Sequence, residues 1–496
     1  MQITKTDYLE YNFCKKNLWL KKYKPELFDG IELSDFEKKI IEEGNMADEE
    51  ARRLFPGGVL VDSFGQEAIS DTKQYIDKKQ EIIFQATFAQ DVFFIRADIL
   101  IYNKEKDGYN LYEVKASNEV KRERKYNYIN DLVFQKSVIE KSGVKIIKAG
   151  VIHLNREYKK VSKIDYEKLF VIVDLTDEVM QVQEKVMGQM EDVKQYLNMP
   201  EQKGCECLYA GRSSQCTTFV YSNPDVPEYS VHDINRIGLS KKMLSDWIDR
   251  GIYAIEDIDN PNVLTEAKKA QYDAYSLGKP LVNYQAIKEA LDKLVFPLYF
   301  FDYEAFVSAI PMFEGFGPYE HVPFQYSLYI MQADGNIEHK EFLITDPKGD
   351  LTRPLVEQMK REIDPNGTMI AWYSSYEKQR NEKLAELHPD YAKFLENINE
   401  GMFDLMTIFS ENNYVDSAFK GSASIKKVLP VIVPDLTYKS LNIHKGDQAS
   451  ERWEKMISSD TPEEEKKQIE KDLREYCKMD TWAMVKIYDF LRKISC

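Results

Sequence analysis

Two regions of the chain carry the period-two and apolar-run patterns of strands, separated by stretches with a helical period. Residues 81–117, EIIFQATFAQDVFFIRADILIYNKEKDGYNLYEVKAS, read as successive strands, with KEKDGYN as a turn signalled by Asp-Gly. The run LVFPLYFFDYEAF (294–306) reads as one strand, rich in aromatics and with a proline, Pro297, tolerated at its start. MIAW (369–372) is a short buried strand. Helical periodicity marks NDLVFQKSVIEKSG (130–143), SKKMLSDWIDRGI (240–252), LTEAKKAQYDAYSLGK (264–279), EKQRNEKLAEL (377–387) and REYCKMDTWAMVKIYDFL (474–491). The pattern predicts an α/β chain in three sections: mixed helices and strands over 1–220, a helical linker over 221–292, and a second α/β section over 293–496.

Length agrees with that division, because 496 residues exceed what one hydrophobic core supports. No apolar run approaches the roughly 18 residues of a membrane span, and MQITKTDYLEYNF lacks the apolar centre of a signal peptide. The expectation is a cytoplasmic protein away from membranes, in which six cysteines need a reason other than structural disulfides. The net charge of −16 argues against a protein that coats nucleic acid indiscriminately. Residues 115–168 are the exception, with 14 Lys/Arg against 7 Asp/Glu. Their densest part, EVKRERKYNY, suits a solvated helix face or a phosphate backbone with stacked bases.

Asp302 and Glu304 sit two apart in the strand pattern, so both point to one face. Two carboxylates together in an apolar setting repel each other and lose hydration. A hard divalent cation such as Mg²⁺ or Mn²⁺ resolves that conflict. Further candidates follow: Glu377 at a strand–helix junction, Asp404 in MFDLMTIF, and Tyr476 and Asp480, which are four apart on one helix face. Strand D-x-E, an acid after a second strand, and a helical Y-x-x-x-D resemble the DEDD exonucleases of the RNase H-like fold, tyrosine subclass. The resemblance implies a mixed-sheet domain in which Asp302, Glu304, Asp480 and a fourth acid hold two metal ions and Tyr476 orients the attacking water. The family usually has Asp as the fourth acid. Here Glu377 fits the strand–helix position, and Asp404 is its rival.

In the first section Asp98 falls in one strand, and Glu113 and Lys115 share a face of the next. Carboxylates that hold metal beside a lysine that offsets developing negative charge suit phosphodiester hydrolysis. This D…E-x-K order resembles the PD-(D/E)XK restriction-endonuclease-like nucleases, in their RecB-like branch. That branch implies a glutamine on the following helix, supplied here by Gln135, whereas Ile139 stands where its tyrosine belongs. It also implies an upstream helical acid, for which Asp48, Glu49 and Glu50 compete.

Cys14 near the start and Cys205, Cys207 and Cys216 after the first section resemble the iron–sulfur RecB-like nucleases, which implies a 4Fe–4S cluster on four thiolates. The C-x-C spacing departs from the usual C-x-x-C, and zinc is the alternative. Cys477 and Cys496 fit neither site, and Cys477 reads as packing. Together the two resemblances cover about 1–220 and 293–496. They imply a metal-dependent nuclease with two active sites: a 3′→5′ exonuclease in the C-terminal section and DNA cleavage in the N-terminal one. The expected partner is DNA with single-stranded ends, with a helicase or a repair or defence protein alongside. The other readings are a nucleic-acid binding scaffold with one or both sites dead, and an RNA-processing exonuclease.

Overall fold

The computed structural model describes residues 1–29, 35–123, 126–438 and 441–495. Arg124 and Lys125 of the basic run, and Cys496, lie outside the described residues. The fold is mixed α/β, and the chain divides into two compact units. The first comprises Met1–Leu208, Ser214–Pro224 and Ser308–Glu320. The second comprises Tyr209–Ser213, Asp225–Val307 and His321–Cys496, so residues 225–292 belong with it.

Strands of the first unit are β1 (Ile3–Thr4), β2 (Val59–Leu60), β3 (Ile82–Gln90), β4 (Phe93–Asn103), β5 (Gly108–Lys115), β6 (Ile146–Leu154) and β7 (Phe170–Asp174). Its helices are α1 (Lys5–Phe13), α2 (Lys15–Tyr23), α3 (Asp35–Ala51), α4 (Gly65–Asp77), α5 (Tyr128–Lys141), α6 (Tyr166–Leu169), α7 (Thr176–Leu197) and α8 (Phe219–Ser222). The strands form one mixed sheet in the order β2-β3-β4-β5-β6-β7, with β1 parallel to the start of β4. β3, β4 and β5 are the antiparallel run expected over 81–117, and Asp107, with φ of +49°, makes the turn before Gly108. Alternation buries one face of this sheet on α5 and α7, through residues such as Leu111, Val151, Phe134, Val138 and Val186. The other face packs Ile99, Val114 and Ile152 against Ala47 and Ala51 of α3.

The second unit contains β8 (Leu281–Val282), β9 (Leu298–Phe306), β10 (Val322–Met331), β11 (Ile337–Leu343), β12 (Thr368–Ala371), β13 (Phe403–Asp404) and β14 (Tyr414–Val415). Its helices are α9 (Lys241–Asp249), α10 (Glu266–Leu277), α11 (Tyr284–Leu291), α12 (Arg353–Glu362), α13 (Ser374–Leu387), α14 (Ala392–Glu400), α15 (Thr407–Ser410), α16 (Ile425–Ile432), α17 (Gly446–Ile457) and α18 (Glu463–Ser495). The main sheet runs β11-β10-β9-β12-β13, antiparallel from β11 to β9 and parallel from β9 to β13. β8 and β14 pair separately. Phe300, Ile370, Met484, Ile487 and Tyr488 bring β9, β12 and α18 into one core. The apolar stripe of α18 therefore fixes which of its faces looks at the sheet. Among the described residues, no helix is long and apolar enough to cross a membrane.

Candidate functional site

β9 runs through Asp302 and Glu304 to Phe306, so both acids lie within the strand and on one face. Across the ladder they oppose Ser327 and Gln325 of β10. Glu304 is buried and Asp302 half-buried. Asp480 comes to them on α18, and Glu377, which is 1% exposed, comes on the first turn of α13. Desolvation, then the charge of Asp480, pushes the Asp302 carboxyl well above its ordinary range. Burial, with Asp302 and Asp480, does the same to Glu304. Glu377 is raised by burial and by Asp302, with the Arg380 guanidinium working against the shift. Burial pushes Asp480 up to about 6.

The donors around these acids are few. Tyr438 donates to Asp480 Oδ1 at 2.6 Å, and the Tyr303 backbone N–H to Glu377 Oε2 at 3.2 Å. Tyr476 is buried beside Asp480, and its hydroxyl is held protonated by burial and by the Asp480 charge. Lys426 acts on Asp302, Glu304 and Asp480 only through its charge; among the described residues none of the three has an ion-pair partner within 4.0 Å. Asp404 is elsewhere employed. It accepts the N–H groups of Tyr373 (3.0 Å), Ser374 (2.9 Å) and Met406 (3.0 Å), so it caps the start of α13. Cys477 is fully buried, and its sulfur lies within 4.8 Å of carboxylate oxygens of Asp302 and Glu304. It faces the acids as well as packing, a placement visible in sequence only as its helical neighbourhood with Tyr476 and Asp480. Tyr438 carries no sequence signal.

In the first unit the strand hairpin places Asp98 on β4 and Glu113 and Lys115 on β5, and Gln135 descends from α5. Lys115 Nζ donates to Glu113 Oε1 and Asp131 Oδ2, both at 2.7 Å. Gln135 Nε2 donates to Glu113 Oε2 (2.6 Å) and Asp131 Oδ1 (2.9 Å). Lys5, at the start of α1, contacts Glu113. Against the desolvation of full burial, Lys115 and Lys5 hold Glu113 well below the ordinary carboxylate range. Asp98 is raised, by burial and then by the Glu113 charge. Of the three upstream acids, Asp48 faces the site: Gln85 Nε2 bridges its Oδ2 (2.9 Å) to Asp98 Oδ1 (3.2 Å). Glu50 is turned to Arg53, and Glu49 is exposed. Gln85 takes φ of +58°, and that local twist aims its amide inward. The sequence patterns do not pick out Asp131 or Lys5. Asp131 has a faint signal, one helical turn before Gln135; Lys5 has none. Of the basic run, Arg122 is paired with Glu178 at 2.9 Å and Lys121 lies over the Tyr126 ring.

Cys14, between α1 and α2, meets Cys205, Cys207 and Cys216 with all four sulfurs within 4.8 Å of one another. The four are free thiols, and together they can hold a metal. Cys205 Sγ and Cys216 Sγ are 3.9 Å apart, and Asn223 donates to Cys205 Sγ at 3.3 Å. Hydrogen bonding among the four holds Cys205 and Cys207 below the ordinary thiol range and Cys14 and Cys216 above it.

Residues 299–424 match a family model described as Domain of unknown function (DUF2779), a stretch that holds Asp302, Glu304, Glu377 and Asp404. Uncharacterized protein MG366 of Mycoplasma genitalium is 23% identical over 432 residues, 79% of this chain and 63% of its own. Uncharacterized protein UU173 of Ureaplasma parvum serovar 3 is 25% identical over 299 residues, 56% of this chain and 41% of its own. The MG366 homolog of Mycoplasma pneumoniae is 29% identical over 230 residues, 41% of this chain and 33% of its own. The chain thus spans less than two thirds of the length of each of these relatives. Residues 299–424 are thus similar to the DUF2779 family model, and the chain is similar to these mycoplasma and ureaplasma proteins.

Proposed function

We propose that this chain is a metal-dependent nuclease whose main active site is the carboxylate cluster of the second unit. The observation that carries this reading is the set Asp302, Glu304, Glu377 and Asp480: two buried and two half-buried acids, each pushed towards its protonated form. Such a cluster costs stability unless a cation removes the repulsion, and hard carboxylate oxygens are the donors that Mg²⁺ and Mn²⁺ prefer. When bound, those ions would stabilise the charge that develops during in-line displacement at a phosphodiester. The chain's own contribution is position. β9 fixes two acids on one face, α18 adds Asp480, and α13 adds Glu377. Tyr476 keeps its proton, so its hydroxyl can donate to and orient an attacking water. The β11-β10-β9-β12-β13 order, antiparallel then parallel, supports an RNase H-like reading and a 3′→5′ exonuclease of the DEDD type.

The hairpin of Asp98, Glu113 and Lys115, with Gln135 above it, supports a PD-(D/E)XK reading of the first unit and cleavage of DNA with single-stranded ends. A second reading, that this unit binds nucleic acid and does not cut it, is favoured by one feature. Both oxygens of Glu113 already accept protein donors. For the four cysteines, tetrahedral zinc with Zn–S of about 2.3 Å places sulfurs about 3.8 Å apart, which suits the 3.9 Å of Cys205 and Cys216. A 4Fe–4S cluster would spread the thiolates further. Metal analysis and visible absorption of anaerobically purified protein distinguish the two.

The test of function is digestion of 3′- and 5′-labelled single-stranded DNA, beside a matched RNA, with Mn²⁺. The expected result is a 3′-shortening ladder that Asp302→Ala slows by about 10³-fold, equivalent to several kcal/mol of lost transition-state stabilisation. Intact DNA and RNA with the wild-type chain, or equal cleavage by the variant, would overturn the proposal. A ladder on RNA alone would make the substrate RNA.

A further inference from the structure

Glu113 and Asp131 are held by two ammonium groups, and only one belongs to the D…E-x-K pattern. Lys115 Nζ lies 2.7 Å from Glu113 Oε1 and 2.7 Å from Asp131 Oδ2. Lys5 Nζ sits on the same two oxygens, in contact with Glu113 Oε1 and 3.6 Å from Asp131 Oδ2. The remaining oxygens are also taken. Gln135 serves Glu113 Oε2 and Asp131 Oδ1, the Val114 N–H serves Asp98 Oδ2 at 2.8 Å, and Gln85 serves Asp98 Oδ1. Every carboxylate oxygen of Asp98, Glu113 and Asp131 therefore has a protein donor.

The placement of Lys5 is built by its surroundings. Thr4 and Asp7 close a capping box at the start of α1, and Lys22 pairs with Asp7 at 2.7 Å. Tyr8 is fully buried and stacks on Phe134 of α5 with ring centroids 5.2 Å apart. α5 is the helix that carries Asp131 and Gln135, so one contact fixes α1 against the element Lys5 must reach. Cys14 ends the same helix within the four-cysteine cluster. With its backbone fixed at both ends, Lys5 reaches Glu113 at a reduced entropic cost.

We infer that Lys5 is a tethered counter-cation: it stands on Glu113 and Asp131 in place of a divalent ion, and the first-unit site takes Mn²⁺ or Mg²⁺ only when Lys5 gives way. A divalent ion needs bare carboxylate oxygens, and an ammonium on those oxygens both blocks and repels it. Lys115 alone leaves the pair Glu113 and Asp131 with one positive charge against two negative ones, and Asp98 beside them. Removing Lys5 therefore takes away one of the two ammonium groups and leaves the acids under-compensated, with Lys115 alone against them.

The inference rests on reading the first-unit carboxylates as cation ligands, but its test reads bound metal and not cleavage. The full chain carrying Asp302→Ala and Glu304→Ala, which silence the other acid cluster, is titrated with Mn²⁺, and free Mn²⁺ is followed by electron paramagnetic resonance. Adding Lys5→Met should create a site that binds Mn²⁺ at least about tenfold more tightly than the background chain. Further addition of Glu113→Gln should remove it, and Lys5→Arg, which keeps the charge, should not create it. If Lys5→Met lowers the melting temperature enough to unfold the chain, Lys5→Gln is read in its place. The inference is overturned if the background chain already binds Mn²⁺ through Glu113, or if neither neutral variant binds more than the background. A chain that cleaves no nucleic acid can still give either answer.

Discussion

The two carboxylate clusters are built from the same residue types and differ in what neutralises them. In the first unit Lys115 and Lys5 lie on Glu113 and Asp131, and Glu113 stays ionised despite complete burial. Among the described residues of the second unit, Asp302, Glu304 and Asp480 have only the longer-range charge of Lys426, and all three are pushed towards protonation. A buried acid beside an ammonium is a structural ion pair until something displaces the ammonium. A buried acid beside other acids has no internal remedy, and an external cation is the simplest one. On the function proposed above, the second cluster should therefore bind a divalent cation more readily than the first.

That contrast can be broken by experiment. The largest effect on stability belongs to Lys115→Ala, which leaves Glu113 and Asp131 short of a buried partner. A loss of about 3–5 kcal/mol is expected from urea unfolding, and a loss within about 0.5 kcal/mol would make the ion pair dispensable. Next, Tyr476→Phe keeps the ring packing and removes the hydroxyl, so melting should be unchanged while Mn²⁺-dependent cleavage falls about 10²-fold. Equal rates would remove Tyr476 from the site.

A smaller effect of opposite sign is expected at Glu304. Glu304→Gln in chelator removes one charge from a self-repelling cluster and should stabilise the chain by about 1 kcal/mol, while cancelling any Mn²⁺-induced rise in melting temperature. Destabilisation in chelator would show that Glu304 is paired in solution. The smallest effect is the pH dependence from Asp480, whose carboxyl is raised from 3.8 to about 6. The native state then holds a proton that the unfolded chain releases, so this contribution to stability is full below about pH 4 and lost as pH rises through 6. Mn²⁺ needs the ionised form, so its stabilising shift should grow over the same interval. Melting curves at about pH 5 and about pH 7, with chelator and with Mn²⁺, read both signs.

The strand period alone puts Asp302 and Glu304 on one face, and the helical period does the same for Tyr476 and Asp480. Both are local consequences of backbone geometry. The same rule places Glu113 with Lys115. It fails for Lys5, which meets Glu113 across 108 residues, because no periodicity links α1 to β5. It favours Glu377, at the junction of MIAW and a helix, over Asp404, but does not say where the Asp404 carboxylate turns. Only the parallel pairing of β12 and β13 shows Asp404 turned to the N–H groups at the start of α13. Cys477 reads as packing in the sequence because a buried cysteine on an apolar helix face usually is, and nothing local shows which acids that face meets.

The sequence by itself determined the strands over 81–117, 298–306 and 369–371, several helices, the acids that share a face, and the candidate thiol ligands, because side-chain direction follows from a period of about 2 or 3.6 residues. Tertiary structure decided which charge meets which. It gathered Cys14 with three cysteines about 190 residues away or more, gave Lys5 to Glu113, and, among the described residues, withheld a close cation from Asp302 and Glu304. The physical reason is that the field at a buried carboxylate is set by groups a few ångströms distant in space, and chain separation carries no record of that distance.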